Sequence, residues 1–189
     1  PPIYATALTR EIVAKRQEDF QNAPKPKFIT VKNGDSVPLG KYFTAEFFDV
    51  AHTVPDTTGV VFRTPAGNVA HCADFRIDYD EDGKPKDLEN FERAAKFGID
   101  LLMLDSTNAE REGFSVSERE VEKNLETLFK SARGRIVLAT FSSMITRIGE
   151  IIKIADKLGR RVAINGFSMK SNVQIAQNLG YIKVHKDLI

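Results

Sequence analysis

His52, in Ala51-His52-Thr53-Val54-Pro55-Asp56, and Asp74, in His71-Cys72-Ala73-Asp74-Phe75, each stand where an apolar run gives out. Asp105 stands likewise after Leu101-Leu102-Met103-Leu104. An imidazole nitrogen and carboxylate oxygens suit zinc and similar divalent ions. Ligands on neighbouring strand ends converge at one sheet edge, where α/β folds build their sites. The pattern points to a metal-dependent hydrolase. Two or three ligands do not complete a hydrolytic metal site, however, and no compact His/Asp cluster supplies the rest. These residues therefore read as part of an active site.

Each residue also has a plainer reading. His52 precedes Pro55 on a stiff loop, where a lone histidine is more often hydrogen-bonded in place than bound to a metal. Asp74 ends the apolar strand Val69 to Ala73, where a carboxylate out of water must be paired, hydrogen-bonded or metal-bound. Asp105 reads alternatively as a loop cap. His71 and Cys72 belong to no ligand cluster and read as structural strand residues. Ser142 and Ser143 are expected to open a helix after a strand, either as helix caps or as donors to a phosphate. The basic stretches Arg133-Gly134-Arg135 and 157–161 read as solvated surface at helix–strand junctions.

Two kinds of element would position these residues. Apolar spacing predicts a helix from Ala5 to Phe20, ended by Pro24 and Pro26. Strands follow at Lys27 to Val31, Lys41 to Val50, Gly59 to Arg63 and Asn68 to Ala73, and connections as short as Pro65-Ala66-Gly67-Asn68 imply antiparallel neighbours. After the turn-forming stretch Asp80 to Pro85, helices alternate with strands. Helices are expected at Asp87 to Phe97, Ser117 to Ala132, Ser142 to Leu158 and Ser168 to Leu179. The strands between and after them are Ile99 to Leu104, Arg135 to Ala139, Arg161 to Ile164 and Tyr181 to Val184. Such alternation argues for parallel, helix-covered strands. Ser117 and Glu120 have capping-box spacing, and Gly134, Gly159 and Gly180 read as helix ends. Val121, Leu125, Leu128 and Phe129 form a core-facing stripe. The change of rhythm places a domain junction near Asp105 to Phe114.

With 189 residues and 42% hydrophobic content, the chain is large enough for one sizeable domain or two small ones. Lys+Arg 27 against Asp+Glu 26 leaves a net charge of +1, so nucleic-acid affinity must come from a local patch. Cys72 is the only cysteine, which excludes an internal disulfide. No apolar run approaches the roughly 18 residues of a membrane span, so the cytoplasm is the expected location and no membrane partner is expected. The opening Pro1-Pro2-Ile3-Tyr4-Ala5-Thr6 lacks the build of a secretory signal and reads as though the chain begins mid-structure.

The ordered series His52-Thr53-Val54-Pro55-Asp56, His71-Cys72-Ala73-Asp74-Phe75 and Asp105-Ser106-Thr107-Asn108-Ala109-Glu110, with Gly113-Phe114 and Ser117-Glu118, resembles the central part of ribonuclease J. The likeness runs on through Ala139-Thr140-Phe141-Ser142-Ser143, Gly159-Arg160-Arg161-Val162-Ala163, Gly166-Phe167-Ser168-Met169 and Leu179-Gly180-Tyr181-Ile182. That family comprises metallo-β-lactamase-fold nucleases with an inserted β-CASP domain. The resemblance implies an α/β chain with part of an αββα metallo-β-lactamase sandwich over 1–110 and the opening helix–strand units of a β-CASP domain over 111–189. It implies that His52 binds zinc, that Asp74 bridges two zinc ions, and that Asp105 orients a histidine supplied from later in such chains. The implied activity is zinc-dependent hydrolysis of RNA, in exonucleolytic or endonucleolytic mode, by a parent protein that forms a homodimer or homotetramer.

The His-x-His-x-Asp-His stretch that supplies most zinc ligands in the family is missing here, as is its carboxy-terminal histidine motif, so the isolated chain is expected to be inactive. Thr146 stands where members often carry histidine. The alternatives are a non-catalytic RNA-binding or assembly segment of a nuclease complex, and a related β-CASP nuclease acting on other nucleic acids.

Overall fold

The structure is a computed structural model that describes residues 1–20, 22–80, 82–86 and 88–183. The chain is mixed α/β and divides into two compact units. One comprises Pro1–His52 and Asp56–Gly113; the other comprises Thr53–Pro55 and Phe114–Ile189.

In the first unit, β1 (Ile3–Ala5) pairs in parallel with β2 (Phe28–Thr30), and α1 (Ala7–Gln17) connects them. A five-stranded sheet follows in chain order: β3 (Ser36–Leu39), β4 (Phe43–Asp49), β5 (Thr58–Thr64), β6 (Gly67–His71) and β7 (Leu101–Met103). Its first three pairings are antiparallel, and β6 with β7 is parallel. The strand expected at Lys27 to Val31 thus joins β1 and not the antiparallel sheet. Pro38 obscures β3 in the sequence, but this is an edge strand, where a residue without an N–H is tolerated. Helix α2 (Glu89–Ala95) precedes β7.

Phe48, Val50, Val61, Ala70, Cys72 and Ala94 form the buried core, with Phe75, Phe91 and Ile99 packed against it. Phe91 meets Phe48 and Phe75 edge-to-face at 5.9 and 5.8 Å. Phe48 faces Gly59 in the ladder, and a Cβ added at Gly59 would collide with the ring. Gly59 is therefore the space that the aromatic ring occupies.

The second unit holds α3 (Glu118–Ser131), α4 (Ile145–Lys157) and α5 (Phe167–Asn178). Ser117 caps α3 by accepting the Glu120 N–H at 3.2 Å. Left-handed Gly159 and Gly180 follow α4 and α5, as expected. At the end of α3 the expected glycine device is replaced: the Arg160 guanidinium donates to the carbonyls of Ala132 and Gly134, a cation satisfying the negative end of the helix. Phe129, Ile154 and Ala155 are buried among Leu125, Ile136, Ile151, Leu158 and Val162. Leu128 is 62% exposed, one position off the face carried by Leu125 and Phe129, and does not belong to the core stripe.

The parallel, helix-covered strands expected in this unit do not form among the described residues. Segments 135–139 and 161–164 carry no strand, nor do 181–183, and Val184 lies outside the described residues. Ile136 and Val162 do turn inward to the helices. A strand also needs a main-chain ladder, and no backbone hydrogen bond ties 135–139 or 161–164 to a neighbour among the described residues.

Candidate functional site

Strand direction decides where the candidate residues fall. β4 and β6 both run antiparallel to β5, and β7 runs parallel to β6, so β4, β6 and β7 all finish at the same end of the sheet. His52 follows β4, Asp74 follows β6 and Asp105 follows β7, so the three lie beyond one sheet end within one unit. Hydrogen bonds join their loops: Arg76 N–H donates to Ala51 C=O at 2.8 Å, and Cys72 N–H donates to Met103 C=O at 3.1 Å.

The Asp105 carboxylate accepts the Thr107 hydroxyl at 2.6 Å and the Thr107 N–H at 2.9 Å. These bonds, with a smaller contribution from the nearby His52 charge, hold the Asp105 carboxyl below the usual carboxylate range. Partial desolvation raises the carboxyls of Asp49 and Asp56 instead, and Asp49's charge adds to the effect on Asp56.

Asp74 is exposed, so it does not face the loss of water that its place at an apolar strand end suggests. Ala73 immediately before it has φ 52°, a left-handed conformation costly for a residue with a Cβ. The His71 ring accepts the Ala73 N–H through Nδ1 at 3.1 Å and so helps to hold that turn. Cys72 is buried, and burial pushes its thiol up, which makes it a core residue. The strained turn had no sequence signal, because alanine does not advertise positive φ as glycine does.

Ser142 and Ser143 belong to the second unit and do not open a helix. They form a turn ahead of α4, whose first residue is Ile145, and Met144 at the N-cap makes no side-chain capping bond. Ser142 C=O accepts the Asn172 amide at 2.8 Å, and Ser143 C=O accepts the Ile145 N–H at 2.8 Å. In the same unit Arg147 pairs with Glu118 at 2.6 Å, and Lys157 and Lys130 both pair with Glu126. Those two ammonium groups draw the Glu126 carboxyl down to about 2.

The donor types at the first unit's sheet end, one imidazole and two carboxylates, suit zinc or manganese. Yet among the described residues no group of three or more His, Cys, Asp or Glu side chains is placed to hold a metal ion. A complete hydrolytic centre is not built by these residues, and no step through a metal follows from them.

A family model described as the beta-CASP domain of ribonuclease J matches residues 133–189. The chain is 40% identical over 185 residues to ribonuclease J of Thermus thermophilus, covering 97% of this chain and 32% of that protein. It is 38% identical over 190 residues to ribonuclease J of Mycobacterium tuberculosis, covering 100% of this chain and 34% of that protein. With ribonuclease J of Mycoplasma pneumoniae it shares 35% identity over 184 residues, 97% of this chain and 32% of that protein. The chain therefore spans about a third of the length of these curated relatives. A crystal structure of a protein of unknown function from Enterococcus faecalis aligns with TM-score 0.72 at 17% identity, covering 97% of this chain and 45% of that one, a likeness in fold. The resemblance to the central segment of ribonuclease J holds across nearly the whole chain.

Proposed function

We propose that this chain, which matches about a third of ribonuclease J, supplies part of the active site of a zinc-dependent ribonuclease. The observation that supports this most is the convergence of His52, Asp74 and Asp105 beyond the ends of β4, β6 and β7. His52 and Asp74 are the proposed zinc ligands, within a metallo-β-lactamase segment formed by the first 110 residues. Zinc would supply Lewis acidity and an activated water for attack on phosphorus. The proposed role of Asp105, whose carboxylate accepts the Thr107 hydroxyl and N–H, is to orient a histidine supplied from later in the parent protein. Ser142 and Ser143 offer hydroxyls to an RNA phosphate from their turn before α4.

The test is hydrolysis of single-stranded RNA by the 189-residue chain with added zinc or manganese. The chain is expected to leave the RNA intact. EDTA-sensitive cleavage that is lost in His52→Ala contradicts the partial-site reading. A second reading, a non-catalytic RNA-binding or assembly segment, is favoured by the lack of a three-ligand group among the described residues. In full-length protein, loss of zinc-dependent RNA hydrolysis on His52→Ala and Asp74→Ala supports the catalytic reading, and unchanged hydrolysis supports the second.

A further inference from the structure

A groove of about 540 Å³ opens at the other end of the same sheet, lined by Tyr42, Arg63, Lys96 and Phe97, with Thr44 and Asn68 on its walls. From Thr58 to Thr64, β5 advances six residues, so at about 3.3 Å per residue the groove lies about 20 Å from the end that carries His52, Asp74 and Asp105. None of these groove residues has a part in the proposed metal site.

The chemistry of the lining is specific. Cations lie over its exposed aromatic rings: the Arg63 guanidinium is 5.8 Å from the Phe97 ring centroid, and Lys41, just outside the lining, places its ammonium 5.1 Å from that of Tyr42. Tyr42 is 61% exposed, and Lys96 projects beside Phe97 from the end of α2. Among the described residues no carboxylate lines the groove. Two carboxylates close by are engaged: Glu46 pairs with Arg63 at 3.2 Å, and Asp100 accepts the Asn68 N–H at 2.7 Å. Glu46 offsets Arg63, and Lys96 leaves the lining net positive, which favours an anion. The exposed rings of Tyr42 and Phe97 favour one that carries flat bases free to stack, which makes an acidic peptide a poorer fit and disfavours duplex RNA, whose bases are already stacked.

We propose that this groove is a second binding site for single-stranded RNA, in which exposed Tyr42 and Phe97 stack on bases while Lys96 holds a phosphate. The proposal rests on the ribonuclease reading for its choice of RNA. At about 3.4 Å per stacked nucleotide, roughly six nucleotides span the 20 Å to the other sheet end. The groove thus grips substrate away from the proposed metal ligands.

The experiment is fluorescence anisotropy of a labelled uridine oligomer of about twelve nucleotides, titrated with the 189-residue chain from about 50 to about 200 mM salt. Tyr42→Ala is expected to weaken binding roughly fivefold or more. Lys96→Ala is expected to lower the slope of log affinity against log salt by about 0.7, the signature of one lost phosphate contact. Both positions are exposed, and circular dichroism verifies that the variants keep their fold. An RNA duplex of the same length is expected to bind more weakly than the single strand. Wild-type affinity and slope in both variants overturn the groove, as does equal binding of the duplex or no binding by the unaltered chain. Each leaves the ribonuclease reading to its own hydrolysis test, because His52 and Asp74 are unaltered.

Discussion

In the first unit an apolar run becomes a strand because a neighbouring run offers it a ladder; in the second, runs of similar composition stay single. Val61 in β5 pairs with Glu46 on one side and Ala70 on the other and is fully buried. Val137 sits in an equally apolar run, Ile136-Val137-Leu138-Ala139, and is 90% exposed. Composition makes both segments candidates for strands, but only main-chain pairing makes one of them a strand. The lesson extends to function, because the ladder is what sends β4, β6 and β7 to a common end and assembles residues distant in sequence.

The strongest way to break this contrast is to remove the ring that joins sheet to helix. Phe48→Ala is expected to cost about 3–5 kcal/mol, since it empties the space over Gly59 and removes the edge-to-face contact with Phe91. Val137→Thr in the other unit is expected to change stability by less than about 0.5 kcal/mol. Urea unfolding measures both, and equal losses would mean that the 135–139 segment is structurally paired after all.

A smaller effect sharpens the account of the turn that carries Asp74. Ala73→Gly relieves left-handed strain at the cost of added freedom in the unfolded chain, and is expected to stabilise by up to about 1 kcal/mol. Ala73→Val is expected to destabilise by about 1–2 kcal/mol, because a branched side chain at positive φ is costlier still. Thermal unfolding of the pair distinguishes a strained turn from a relaxed one; destabilisation by glycine would exclude the strain.

The smallest expected effect belongs to the second unit's ion pairs. Glu126 has a folded value of about 2 against an ordinary 4.5, so its pairing with Lys157 and Lys130 contributes fully above about pH 4.5 and is lost as pH falls through about 2. Glu126→Gln is expected to flatten the decline of stability with acid across that window and to leave the decline above it unchanged. Stability measured against pH tests this, and an unaltered acid limb in the variant would contradict it.

Much of the first unit was legible beforehand, for identifiable reasons. Alternating apolar residues and short turns marked β4, β5 and β6, and an apolar run marked β7, within a residue or two. The Ser117 cap was readable because a serine with glutamate three residues on, just ahead of an apolar stripe at helical spacing, can satisfy the free N–H groups of a helix start. Three residues that strand order brings to one sheet end were recognisable one by one, as polar groups where apolar runs stop. Their convergence is expected of neighbouring strand ends in general, but spacing alone does not fix which way each strand runs, and the ladder supplies that. The serines misled because an α4 start at Ile145 leaves them in a turn of their own. Arg160 closing α3 from 28 residues away had no local signature at all.

The proposal that the loops after β4, β6 and β7 supply ligands to one metal site is tested most directly by adding manganese to isotope-labelled full-length protein and recording amide spectra. Signals of His52, Asp74 and Asp105 are expected to broaden together at low metal and to return on addition of EDTA. Broadening confined to one of these loops, or centred elsewhere in the chain, would contradict it.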